Sequence, residues 1–198
     1  MIPVIEGIAH RSDIPISIDT WKSTVAESAF DAGAVIVNDI SGFRFDPLMP
    51  EVVAARSASA VLMHTPAPPW DMPPVIHYDD IVQDVRVYLR ESLKIGESAG
   101  VAQMFVDPGL GFGKSVRENF QLINRLGNLA SLRYPIVVGI SRKSFIGKGL
   151  NLPVESRLEG SLAALTAAIL NGANIIRVHD VKESRRAAAV ADELLRSS

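Results

Sequence analysis

Asp19, Asn38, Asp107, Lys143, Arg177 and His179 are the side chains best suited to chemistry, and each closes or follows a short apolar run. Asp19 follows "ISI"; Asn38 and Asp39 follow "VIV"; His64 follows "VLM". Asp107 follows "MFV", Ser141–Arg142–Lys143 follow "VVGI", and Arg177, His179 and Asp180 lie in "IIRVHD". A carboxylate meets an adjacent N–H and NH2 pair through two parallel hydrogen bonds, so Asp19 and Asp107 suit the edge of a base-like heterocycle. Arg177 and His179 are two residues apart and share a face if they lie on a strand. Two cationic donors on one face suit an oxyanion or a phosphate. Lys143 admits three roles: a Schiff-base nucleophile, which requires a depressed pKa, a cationic ligand for a ring carbonyl, or a surface charge. "DPGLGFGK" (Asp107–Lys114) is not the GxxxxGK[ST] phosphate loop. Its three glycines let backbone approach a flat ligand, and Phe112 is placed to stack. Plainer roles compete for several positions. Asp39 and Asp180 suit helix caps, His64 a packed core histidine, and the glycine loop a tight turn. Neither H-x-H nor H-E-x-x-H occurs, so the carboxylates are better used as hydrogen-bond acceptors than as metal ligands.

The elements that must position these groups follow from the apolar runs at Ile14–Ile18, Ala34–Val37, Ala60–Met63, Met104–Val106, Ile136–Ile140 and Asn174–Val178. Each is apolar on consecutive positions, which predicts strands of a parallel sheet buried on both faces. Ser115 with Glu118 predicts a capping box opening a helix over Val116–Leu126. Gly33, Gly100 and Gly172 stand where helices should stop before a strand. Ile81–Ala99 predicts a long amphipathic helix, and Ala67–Pro74 a Pro-rich loop. Strict alternation of strand and helix means α/β with a parallel sheet, either open or closed as a (β/α)8 barrel. An open sheet gathers polar residues only at its switch point. Here all six strands end in polar groups, which favours the barrel, where strand ends face one mouth.

The 198 residues fit one domain, 1–198. A net charge of −2 gives no reason to expect nucleic acid or an anionic membrane as partner. The absence of cysteine excludes thiolate catalysis and zinc–sulfur sites. No span of ~20 apolar residues is present, and Glu6, His10, Arg11 and Asp13 interrupt any leader-like run after Met1. The expected location is cytoplasmic.

"ISIDT", "VIVNDISG", "LMH", "FVDPGLGFGK", "VVGISRKSFIG", "RLEGSLAA" and "NIIRVHDV", in this order, resemble the dihydropteroate synthases of the pterin-binding barrel family. The resemblance covers nearly the whole chain, and "GISRKSFIG" together with "IIRVHDV" is its most specific part. It implies a transferase of folate biosynthesis that condenses 6-hydroxymethyl-7,8-dihydropterin diphosphate with p-aminobenzoate, releasing 7,8-dihydropteroate and diphosphate. Carried over by motif, Asp19, Asn38, Met63, Asp107, Phe112 and Lys143 bind the pterin. Arg177 and His179 take the diphosphate. Phe112, Ser141 and Lys143 line the p-aminobenzoate side, where sulfonamides compete. Asp19, Lys143, Arg177 and His179 carry the catalytic roles. The resemblance also implies magnesium and a homodimer. Two departures stand out. Stretches like "NVTPDSFSDGG" and "ESTRPG" are absent, so the six strands correspond to the third through eighth of an incomplete barrel, and the expected metal ligand lies in the missing N-terminal portion. In addition, "MHTPAPPWDMPP" replaces a pattern like "MHMQGxPxxM". Two further readings remain: a non-catalytic pterin-binding fragment, and a methyltetrahydrofolate–corrinoid methyltransferase-like barrel.

Overall fold

Among the described residues six strands alternate with helices, as the apolar runs require, and they fall into a four-stranded and a two-stranded sheet with parallel pairing. The structure, a computed structural model, describes residues 1–73 and 76–197. Pro74, the last residue of the Pro-rich loop, lies outside the described residues; within the rest of that loop Pro69–Asp71 forms one 3-10 turn. The chain forms two compact units: residues 1–65 with 87–106, and residues 66–86 with 107–198.

In the first unit α1 (Ile2–Ala9) precedes β1 (Ser17–Asp19), α2 (Ser23–Asp31), β2 (Ile36–Asp39), α3 (Met49–Ala55) and β3 (Ser59–Met63). After α4 (Ile81–Ala99), β4 (Gln103–Asp107) completes a sheet in the order β1-β2-β3-β4. α4 has the bounds expected of the long amphipathic helix. Val37, Ala60, Leu62, Met63 and Leu89 are buried in the core. Gly33 and Gly100 end α2 and α4 with positive φ of 109° and 81°, the left-handed stop that a residue without Cβ takes at least cost.

The second unit holds α5 (Val116–Asn124), β5 (Val137–Gly139), α6 (Ser144–Leu150), α7 (Leu158–Leu170), β6 (Ile175–Arg177) and α8 (Val181–Arg196). β5 and β6 pair in parallel with Gly139 opposite Arg177. The Ser115–Glu118 capping box is present on both sides. α5 stops two residues short of the expected Leu126, where the chain tightens into 3-10 turns over Leu126–Leu132.

One expectation needs correction. β1 and β6 are not buried on both faces: their end residues are exposed, and Ile14 ahead of β1 is 72% exposed. Both strands lie at the edge of their sheet, so an apolar run there does not guarantee burial.

Candidate active site

In the first unit the parallel register sets Asp19 opposite Asn38, and Asn38 opposite Val61. Lateral neighbours in a ladder point to the same face, so Asp19 and Asn38 share one. Met63 lies two residues beyond Val61 and shares it too. Asn38 and Met63 are buried, whereas Asp19 is exposed. A carboxylate, an amide and a thioether on one face provide polar recognition beside a soft apolar surface.

The alternate residues turn the other way. Asp39 is fully buried and accepts from Ser41 N (2.8 Å), Ser41 Oγ (2.7 Å) and Phe43 N (2.9 Å). Burial pushes its carboxyl above the usual range, and these bonds pull against that shift. Asp39 thus corrects the expectation of a helix cap: α3 starts at Met49 behind Leu48, and Asp39 instead holds a turn in which Gly42 and Phe43 both take positive φ. His64 is buried edge-on against Tyr88, with ring centroids 4.7 Å apart, the packed histidine expected.

The second unit gathers Asp107, Lys143, Arg177 and Phe112. Asp107 is 1% exposed. Its Oδ1 accepts from Gly109 N at 2.8 Å, and its Oδ2 from Arg177 Nη2 at 3.3 Å. Lys143 donates from Nζ to the Leu110 carbonyl and sits 5.1 Å from the Phe112 ring centroid, within cation–π range. Burial lowers the Lys143 pKa to about 8, with Asp107 opposing the shift and Arg177 adding to it. His179 engages Ser141 twice: its backbone N donates to Ser141 Oγ at 3.3 Å, and its Nδ1 lies 3.1 Å from the same oxygen. Nε2 is therefore the nitrogen left to meet a ligand. The pairings cross the expected ligand groups. Arg177 and His179 were both expected on the diphosphate; one meets the pterin-side Asp107, the other the p-aminobenzoate-side Ser141.

Backbone fit explains part of this placement. Arg177 lies across Gly139, where an added Cβ would stand 3.1 Å from Nη2. The Lys143 stem lies against Gly111, whose φ is +85°.

Sequence reasoning missed the contacts that fix the turn just before Lys143. Arg142, at the left-handed φ of 53°, makes a two-pronged ion pair with Asp180 through Nε and Nη2, both at 2.8 Å. Its backbone N donates to Ser161 Oγ, and its carbonyl accepts from Arg157 Nη1. Arg142 holds the Asp180 carboxyl below the usual range. Asp180 stands at the N-cap of α8 but makes no side-chain cap bond, so the capping expectation fails because the guanidinium takes its carboxylate. Both residues were in view, within "SRK" and "VHD", but no local pattern links positions 38 residues apart. Lys114 and Asn119 were also missed. Asn119 accepts from Gly111 N and donates to the Lys114 and Ser115 carbonyls.

The magnesium implied by the resemblance finds no ready cage. Among the described residues no three His, Cys, Asp or Glu form a group able to hold a metal ion.

In the second unit a carboxylate, a lysine beside an aromatic ring and a guanidinium thus gather around strand ends, a donor and acceptor set suited to a flat, polar-edged ligand. The family model of pterin binding enzymes matches residues 1–179, and the chain belongs to that family. It is 41% identical to dihydropteroate synthase from Clostridium beijerinckii over 99% of this chain and 71% of that protein. The dihydropteroate synthase of Yersinia pestis, solved with a sulfonamide drug, aligns with a TM-score of 0.95 at 36% identity, over 100% of this chain and 72% of that one. The Thermus thermophilus enzyme in complex with 6HMPPP aligns with a TM-score of 0.93 at 38% identity, over 98% of this chain and 78% of that one. Parallel-paired strands alternating with helices, in a chain that matches about seven-tenths of the relatives' length, fit the expected incomplete (β/α)8 barrel.

Proposed function

We propose that this chain carries the pterin- and diphosphate-binding residues of a dihydropteroate synthase. It would transfer the pterin methylene group from diphosphate to the amine of p-aminobenzoate. The observation that carries this reading is the cluster in the second unit: the Asp107–Arg177 pair, with Lys143 set against Leu110 O and Phe112.

Diphosphate leaves as the methylene C–O bond breaks, and the electron-rich dihydropterin spreads the positive charge left behind. The amine nitrogen then forms the C–N bond and gives up a proton. Charge stabilisation dominates over proton transfer. Asp19 and Asn38 accept from and donate to the pterin edge, and Asp19 favours its cationic form. Met63 packs against the ring. Asp107 accepts from ring N–H groups, and Lys143 donates to a ring carbonyl. Arg177 and His179 Nε2 receive the departing anion. Phe112 and Ser141 border p-aminobenzoate.

Calorimetry with a pterin, followed by a coupled assay for diphosphate release on adding p-aminobenzoate, tests the reading. Binding together with release supports it. Binding without release favours a non-catalytic pterin binder, and no binding removes both. A homodimer through the exposed Val181, Val190, Leu194 and Leu195 of α8, in the cytoplasm, completes the proposal. No helix among the described residues is long and apolar enough to cross a membrane.

A further inference from the structure

Lys114 has no part in the roles given above, yet it makes the most demanding contacts of the glycine loop. Its Nζ donates to the Gly109 carbonyl at 2.8 Å and the Phe112 carbonyl at 3.0 Å. Lys143 Nζ donates to Leu110 O, which lies between those two positions. Two ammonium groups thus hold three carbonyls within four residues. The loop can turn these oxygens inward because Gly109, Gly111 and Gly113 all take positive φ, at 67°, 85° and 59°. The same loop shapes the bed of Lys143, whose stem rests on Gly111 and whose ammonium faces Phe112.

An isolated lysine would not accept such a position. Burial lowers the Lys114 pKa to about 7; Asp107 and Glu118 oppose the shift, and the Lys143 charge adds to it. An ammonium held despite desolvation needs strong acceptors, and the two carbonyls provide them.

We propose that Lys114 is a positioning residue. Seated on Gly109 O and Phe112 O, it holds the loop from Asp107 to Lys114 in the shape against which Lys143 and Phe112 are set. The loop claim stands on this geometry alone; its consequence for pterin binding rests on the function proposed above.

The test compares the full chain with Lys114→Met and Lys114→Gln, each first checked for a cooperative thermal transition. Acetylation of Lys143 is then followed by mass spectrometry from about pH 6 to pH 10, because only the neutral amine reacts. The unchanged chain should show a midpoint of about 8. Lys114→Met should raise it by about one unit or more, as the loop opens and water reaches Lys143. Lys114→Gln is equally neutral but keeps an amide donor, so its midpoint should fall between the other two. An unmoved or lowered midpoint in the folded Met variant overturns the proposal. Equal shifts in Met and Gln also overturn it, because charge alone would then account for the effect. If only the Gln variant folds, amide hydrogen exchange of Gly109–Phe112 decides: faster exchange than in the unchanged chain supports the proposal and unchanged exchange overturns it. Failure of both variants to fold overturns it too, by making Lys114 a requirement of the fold. Pterin affinity should fall about tenfold in Lys114→Met. A chain that binds no pterin removes the function proposed above, while the acetylation midpoints still judge the loop.

Discussion

Burial of Lys143 and Lys114 makes stability and ligand binding respond to pH in opposite directions. Unfolded, both lysines keep an ordinary value of 10.5, whereas folded they titrate at about 8 and about 7. Between the folded and unfolded values the unfolded chain holds more protons, so stability rises with pH across that window. Urea midpoints should therefore climb from pH 7 to pH 10, and Lys143→Met should remove the Lys143 share; a flat profile in the unchanged chain contradicts this. Binding through the Lys143 ammonium runs the other way and should weaken as pH rises through about 8. At Asp19, replacement by Asn keeps the shape and loses the charge. Turnover should fall about tenfold or more if the carboxylate steadies a cationic pterin, and full turnover in Asp19→Asn would end that role.

At the scale of elements, strand ends and the turns behind them decide which donors meet. Gly139 on β5 leaves room for the Arg177 guanidinium from β6. Gly139→Ala should change stability by no more than about 1 kcal/mol, because the flexible Arg177 can shift. It should nevertheless weaken diphosphate inhibition, since Arg177 would leave Asp107. The loop after β5 depends on the Arg142–Asp180 pair, whose side chains are 32% and 20% exposed. Asp180→Asn should lower the midpoint of chemical denaturation and should raise KM for the pterin through Lys143. The strands, the capping box at Ser115 and the glycine stops were legible because each depends on neighbours within a few residues. The Arg142–Asp180 pair and the seat of Lys114 were not, because nothing in local spacing records which carbonyl or carboxylate a long side chain reaches.

At the scale of the whole molecule, two parallel sheets present edge strands. β1 and β6 are at edges and carry exposed residues, with Ile175 41% exposed on β6. Unpaired strand edges with apolar side chains template association. Sedimentation should show self-association that grows with concentration, and Ile175→Lys should reduce it; a chain monomeric at every concentration would remove edge pairing as an account.

The sequence by itself determined the α/β class, the six parallel strands and the polar residue at each strand end, since apolar runs and glycine stops act locally. It also carried the family, through the order of its motifs. Only the tertiary structure decided that Asp107 meets Arg177, that Ser141 meets His179, that Asp180 serves Arg142 rather than a helix end, and that Asp39 holds a turn. These pairings depend on which side chains converge once strands pair and helices pack. That distance is set by the fold and not by the number of residues between them.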